Sequence, residues 1–396
     1  MSSLSDPLVQ NAIAQVYEKL TTIPISAVLK HRRERRGGAS YVPSLISVPE
    51  DARVGEIMLL LKNEGILALP VYRNIEGQDV GRQYTGIVSI YDILAFTVFQ
   101  RLFDSAEGSS ADVEKLKGVV EAMLEDQEQY FGTPIKELVG KSYESQESWS
   151  LNSSMPLSNL LQLFTSGLYH RALIIDDEAL RAETGGQDDG PAPTCPPEGS
   201  FTTMLTQSDL LNFLADCKDI PAEAMTRILS VPSSEVDSLA ARRNQEGSSS
   251  AANNQTALKK SRVVTVPDSS NALQAFRDMY VNRVSAVAVI DKEGGLAANL
   301  SASDLRGLSS SNLACLFDNV YTFLEIDTHR RADQVKADQL KFVEPDAPMH
   351  KAAAMMRDSR IHRVWIADDG DKPVGVVTLS DFLSVFAPHG KIAKEE

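Results

Sequence analysis

The chain has 396 residues, of which 43% are hydrophobic and 23% charged. That is ordinary globular composition; it excludes a disordered or collagen-like chain, and the length predicts two or three domains. With 39 basic against 54 acidic residues the net charge is −15, which argues against bulk attraction to DNA or acidic membranes.

In chain order, residues 1–44 form an N-terminal extension. Met1 to Leu20 lacks the basic start and apolar stretch of a signal peptide, and no apolar run reaches about 18 residues, so neither a signal nor a membrane span is expected. The segment His31-Arg32-Arg33-Glu34-Arg35-Arg36 reads as a solvated basic loop or a partner contact, with a nuclear-import signal as the alternative. The expected location is the cytoplasm, and the nucleus if that signal operates. Cys195, Cys217 and Cys315 are odd in number and widely spaced, which excludes a disulfide framework or a CxxC zinc site and suits a reducing compartment.

From there one pattern occurs four times: a helix, an apolar strand, a turn, a second strand and a closing helix. In the first copy the helix is Val54 to Asn63, the strand Ile66 to Tyr72, and the closing piece Tyr84 to Leu94. The second has its helix at Leu157 to Thr165, its strand at Tyr169 to Asp176 and its closing piece at Phe201 to Leu211. The third runs from a helix at Asn271 to Tyr280, through a strand at Arg283 to Asp291, to Leu300-Ser301-Ala302-Ser303-Asp304-Leu305. The fourth has a helix at Met349 to Asp358, a β-hairpin read across Arg360 to Gly370 and the segment that begins at Pro373, and a closing helix from Ser380 to Phe386. An acidic helical segment (111–129), a Gly/Pro/Asp-rich insertion (185–199) and a Ser/Asn/Gln-rich stretch (244–256) punctuate the copies. The expected boundaries are 45–103 for the first repeat, 143–217 for the second with an insertion at 179–200, 218–260 for a linker, 261–310 for the third repeat and 335–388 for the fourth. The class is α/β (α+β). One unit cannot cover its own sheet faces, so the copies should pair, one with two and three with four, on either side of the linker.

Each copy closes on Ser/Thr-x-x-Asp: Ser89 with Asp92, Thr206 with Asp209, Ser301 with Asp304, Thr378 with Asp381. Helix capping alone accounts for this spacing. The same geometry also offers N–H groups and hydroxyls to a phosphate, and a carboxylate to paired ribose hydroxyls. His170-Arg171 and His362-Arg363 recur at one strand position, where they serve either a phosphate or edge-strand solubility.

These residues resemble the CBS-repeat family, and the fourfold layout is similar to the gamma regulatory subunit of AMP-activated and SNF1-type protein kinases, from about Leu45 to Phe386. The resemblance implies two tandem CBS-pair (Bateman) domains packed as a disk, with AMP, ADP or ATP bound between repeats. It implies that Asp92, Asp304 and Asp381 hold ribose hydroxyls, that His170, Arg171, His362 and Arg363 face phosphates, and that Ser285, Ala286, Ser301, Thr378 and Ser380 line the cleft of repeats three and four. Asp209 would supply an acid at a position the kinase family leaves empty. Two departures stand out: Leu67 where the family has a phosphate-facing Arg, and Gln207 where it often has a basic residue.

The function implied is a non-catalytic regulatory subunit that senses adenine nucleotides and works with kinase alpha and beta subunits, without nucleic acid, membrane, metal or cofactor. An interaction scaffold, or a phosphatase regulator without nucleotide sensing, is the alternative. No stretch remains for a catalytic domain, GxxxxGK[ST] is absent, and His329 and His350 lack ligand spacing, so an enzyme is not expected. Trp149 and Trp365 read as packing residues.

Overall fold

The computed structural model describes residues 3–37, 45–74, 82–95, 125, 131–140, 145, 150–166, 169–176, 202–237, 239, 263–307, 312–328 and 340–387. The insertion 179–200, the 244–256 stretch, Cys195, Trp149, His329 and nearly all of 111–129 lie outside them.

Two helices come first, α1 (Pro7–Leu20) and α2 (Ser26–Arg35). In the first copy β1 (Val48–Pro49) leads to α3 (Val54–Glu64), then β2 (Ala68–Asn74), β3 (Arg82–Ser89) and α4 (Ile90–Leu94). The second copy holds β4 (Ser150–Asn152), α5 (Leu157–Thr165), β5 (Arg171–Ile175), β6 (Thr202–Thr206) and α6 (Gln207–Asp216), followed by α7 (Ala222–Leu229). The third holds β7 (Thr265–Pro267), α8 (Ala272–Val281), β8 (Ala286–Ile290), β9 (Leu296–Ser301) and a 3-10 turn (Ala302–Gly307), with α9 (Val320–Thr328) after it. The fourth holds β10 (Phe342–Val343), α10 (Met349–Asp358), β11 (Arg363–Ala367), β12 (Pro373–Thr378) and α11 (Leu379–Ser384). The α/β class and the fourfold repetition are therefore as expected.

Each copy makes one three-stranded sheet in which the short first strand pairs parallel with the second and the second antiparallel with the third. The hairpins follow from the apolar runs. The first strands, two or three residues long, carry no periodicity of their own. They exist because the following helix returns the chain beside the second strand, as parallel pairing requires.

The helices follow from apolar spacing. In α3, Val54, Ile57, Met58 and Leu61 recur on one face and are buried. Glu56 accepts from the Arg53 N–H at 3.1 Å, and Gly65 ends the helix at φ 65°. The same left-handed turn is taken by Arg283 (φ 54°) and Arg360 (φ 53°) in copies three and four.

A second repeated element was not legible in the sequence. The entry to each repeat's first helix is clamped by a short segment from elsewhere in the chain. In copy one the Val54 N–H donates to the Thr133 carbonyl at 3.0 Å and the Ile135 N–H to Ala52 at 2.8 Å. In copy two the N-terminal extension does this: Leu157 donates to Ile23 at 2.7 Å and Ile25 to Met155 at 2.9 Å. In copy four Met349 donates to Val231 and Ser233 to Ala347, both at 2.8 Å; in copy three Ala272 donates to Asp318 at 2.9 Å. The residue five places beyond the clamp bridge covers a glycine on the last strand in two copies. Val139 lies directly over Gly86, and Asp237 lies 3.2 Å from where a side chain on Gly375 would begin. A side chain on Gly86 would collide with Val139, and one on Gly375 would be crowded by Asp237.

The chain divides into two compact units made of alternate repeats. One comprises Ile46–Ser148 and Val263–Leu340, that is copies one and three; the other comprises Met1–Leu45, Trp149–Arg262 and Lys341–Glu396, that is copies two and four with the N-terminal extension. This corrects the expectation that successive copies form the compact units. The physical reason lies in the closing helices. Leu210, Phe213 and Leu214 of α6 share a core with Phe382 and Phe386 around α11, whereas Ile90 and Ile93 of α4 share one with Ala302 and Leu305 of copy three. Each unit has its own aromatic centre: Phe276 against Phe323 at 5.4 Å, and Phe382 against Phe386 at 5.3 Å. Trp365 is buried, as its packing role required, and His350 is exposed.

Candidate functional site: the strand-to-helix acids

All four Ser/Thr-x-x-Asp segments bridge the last strand and the closing helix, and in all four the Asp Oδ2 accepts from the backbone N–H and hydroxyl of the capping residue. The N–H and hydroxyl distances are 2.8 and 2.7 Å from Ser89 to Asp92, 2.9 and 2.9 Å from Thr206 to Asp209, 2.7 and 3.0 Å from Ser301 to Asp304, and 3.1 and 2.6 Å from Thr378 to Asp381. In copies one, two and four the hydroxyl accepts in return from the Asp N–H, completing a capping box. The capping role is thus met in copies one, two and four.

Register identifies the equivalent residues across copies. The first residue of the closing helix donates to the carbonyl of Leu67, His170, Ser285 or His362, and the next residue stands opposite the cap: Ala68 opposite Ser89, Arg171 opposite Thr206, Ala286 opposite Ser301, Arg363 opposite Thr378. Leu67 is therefore the counterpart of His170 and His362, and the counterpart of the two arginines is Ala68. The short apolar run of copy one fits either alignment, and only the pairing decides. Directly opposed residues in an antiparallel pair share a face, so Arg171 and Arg363, both half-buried, emerge beside the capping threonines.

The expected residues fall into both units. Asp92, Ser285, Ala286, Ser301 and Asp304 lie in the unit of copies one and three; His170, Arg171, Asp209, His362, Arg363, Thr378, Ser380 and Asp381 lie in the unit of copies two and four. Ser285 and His362 are exposed, while Ala286, Ser301, Ser380 and Asp381 are buried.

Within the first unit, Asp92 is fully buried, and its Oδ1 accepts from the Ser145 hydroxyl at 2.7 Å. Ser145 is itself held by the Gly140 N–H at 3.0 Å. Both carboxylate oxygens are thus engaged by the chain. Next to Asp92, Tyr91 stacks on Tyr280 of copy three with centroids 6.1 Å apart, and burial pushes its phenol above the usual range, helped by Tyr280 and Asp92.

Within the second unit, the buried Gln207 donates to the Phe164 carbonyl at 3.0 Å and the Ser380 hydroxyl at 2.7 Å. The neutral amide at this position ties copy two to copy four. A basic residue would bury an uncompensated charge between those two acceptors.

The basic run at 31–36 is not a solvated loop. It completes α2 and continues to Arg36; Arg32 is buried, while Arg33, Arg35 and Arg36 stay exposed. The Arg32 guanidinium donates to the Met204 carbonyl and, at 2.7 Å, to the Thr203 hydroxyl, and it stands 3.8 Å from Asp209 Oδ2. His31 contacts Asp216 at 3.1 Å, and Arg357 of copy four reaches the other oxygen of Asp216 at 3.2 Å. These contacts were beyond sequence reasoning, because nothing local to Arg32 marks its distant partners.

Among the described residues no group of three His, Cys, Asp or Glu is placed to hold a metal, and no helix is long and apolar enough to cross a membrane.

A family model described as the CBS domain matches residues 41–98, 257–311 and 333–388, which are copies one, three and four; the second copy joins them by its strand order and capping box. The SNF1-related protein kinase regulatory subunit gamma-like PV42b of Arabidopsis thaliana is 21% identical over 377 residues, spanning 86% of this chain and 90% of that protein. Its relative PV42a is 22% identical over 372 residues with the same coverage. Protein SDS23 of Kluyveromyces lactis is 27% identical over 147 residues, so this chain spans only 28% of that protein. Among solved structures, protein MJ1225 of Methanocaldococcus jannaschii, named as a candidate archaeal homolog of g-AMPK, aligns over 87% of this chain and 96% of its own with a TM-score of 0.54 at 14% identity, a likeness of fold. CBS domains are therefore present in this chain, which over most of its length is similar to two SNF1-related kinase gamma-like proteins.

Proposed function

We propose that the chain is a non-catalytic regulatory subunit that binds AMP, ADP or ATP at its strand-to-helix acids and biases a kinase complex containing alpha and beta subunits. The observation that carries this reading is the placement of Arg363 directly opposite Thr378, a cap leading into Asp381. A cation beside a helix start suits phosphate, and a nearby carboxylate suits ribose hydroxyls. Hydrogen bonds to charged groups contribute roughly 1.5–3 kcal/mol each. Two or three of them, with a base packed on apolar strand residues, reach the −8 kcal/mol or so of micromolar binding. Bound nucleotide then acts by its differential affinity for two states of the assembly. Cytoplasmic residence, with nuclear entry through the exposed Arg33, Arg35 and Arg36, belongs to the same proposal.

Titration calorimetry of the purified chain with AMP, ADP and ATP tests it. Saturable heat in the micromolar range is expected. Silence up to about millimolar ligand, near −4 kcal/mol, would remove nucleotide sensing. An interaction scaffold is the second reading, favoured by Ala68 and Ala286 at the cation positions and by the closed carboxylate of Asp92. Purification from cells that yields a phosphatase or another assembly, with no kinase subunits, would put the scaffold first.

A further inference from the structure

In two copies, a segment from outside the repeat reaches the strand-to-helix acid. Ser145, eleven residues beyond the Pro134 clamp bridge, donates to Asp92 in copy one. Arg32, eight residues beyond the Pro24 bridge, comes to Asp209 in copy two. The two contributions differ in chemistry, a hydroxyl in one and a guanidinium in the other, but both are made to the one carboxylate that a ribose would need.

The Arg32 contact is built rather than incidental. The side chain is only 10% exposed although it carries a full charge. Its donors are directed at the edge of β6, to the Met204 carbonyl and the Thr203 hydroxyl. Thr203 is three residues before its cap, the place held by Gly86 before Ser89 and Gly375 before Thr378. Copy two thus has a hydroxyl where copies one and four have bare backbone, and Arg32 binds that hydroxyl. A second contact, His31 to Asp216, anchors α2 along α6. The Asp209 carboxylate is consequently flanked by Thr206, the cap of its own helix, and by a guanidinium on α2.

We propose that Arg32 is an internal ligand of the copy-two acid: it takes the charge of Asp209 and keeps that position from accepting a nucleotide ribose while α2 is docked. Arg32 thereby sets how many nucleotides the chain binds. This rests on the nucleotide-binding reading above. It goes beyond it by assigning a closed position and the residue that closes it.

The test counts AMP equivalents by calorimetry on the full chain and three variants. Arg32→Gln is neutral and keeps an amide donor for the Met204 carbonyl; it should gain one equivalent. Asp209→Asn in the otherwise unchanged chain should leave the count as it was, and Asp209→Asn combined with Arg32→Gln should lose the gained equivalent. An unchanged count in a folded Arg32→Gln chain overturns the inference while leaving nucleotide binding intact. So does the loss of one equivalent in the Asp209→Asn single variant, a result that does not depend on whether Arg32→Gln folds. Absence of AMP binding in all four proteins overturns the functional reading and the inference together, whereas an Asp209-dependent equivalent in Arg32→Gln alone supports the inference.

Discussion

The two compact units share one backbone plan and differ in charge at one register. In the unit of copies two and four, the residues at the sheet end are His170-Arg171 and His362-Arg363; in the unit of copies one and three they are Leu67-Ala68 and Ser285-Ala286. The capping acid is present in all four. The acid therefore belongs to the fold, as a helix cap must, whereas the cation is optional and marks where the chain invests in binding an anion. A Ser/Thr-x-x-Asp segment without a cation opposite its cap is a structural device first.

The comparison can be broken most severely in the cores. Phe164→Ala in one unit and Phe276→Ala in the other each remove a fully buried ring and should cost about 3–5 kcal/mol in urea unfolding. A loss below 1 kcal/mol at either site would mean that unit tolerates a cavity the other does not.

Arg363→Ala should weaken AMP binding by roughly tenfold to a hundredfold, the equivalent of about 1.5–3 kcal/mol, with little change in thermal midpoint, because a half-buried Arg at a sheet end packs little. A collapsed midpoint with intact affinity would make Arg363 structural and erase the distinction between the units.

Within the neutral unit, Asp92→Ala should destabilise by about 1–3 kcal/mol, since it strands the buried hydroxyls of Ser89 and Ser145. Asp304→Ala, at a more open site, should cost nearer the 0.5–2 kcal/mol or so of a lost cap. Equal losses would show that Ser145 adds nothing to the closure of copy one.

The smallest effect belongs to the exposed pair Glu50–Arg73 at 2.9 Å, which holds the Glu50 carboxyl below its ordinary value chiefly through the Arg73 hydrogen bond. A depressed carboxyl stabilises above its unfolded-state value and loses that contribution as pH falls through the folded one. Exposure and screening keep it slight. Arg73→Ala should return the Glu50 titration to the usual carboxylate range by NMR, with no measurable shift in the melting midpoint at neutral pH.

Much of this was readable along the chain because it is local. A cap and its acid lie three residues apart, hairpin strands alternate around a turn, and Val54, Ile57, Met58 and Leu61 repeat at helical spacing. The misreadings share one cause as well. Pairing of alternate copies, the clamps around Pro24, Pro134, Pro232 and Asn319, and the insertion of Arg32 all depend on contacts between distant residues. An apolar face declares that it will be covered, not by which copy.

What the amino-acid order determined alone was the repeated module: its strands, its capped closing helix and the His-Arg pairs set into two of the four copies. Tertiary structure decided which modules share a core, which side chain stands opposite each cap, and which acids are met by Ser145 or Arg32. Propensity and capping act over three or four residues, whereas the neighbour of a carboxylate is chosen by packing between residues 53 apart for Ser145 and Asp92, and further still for Arg32 and Asp209.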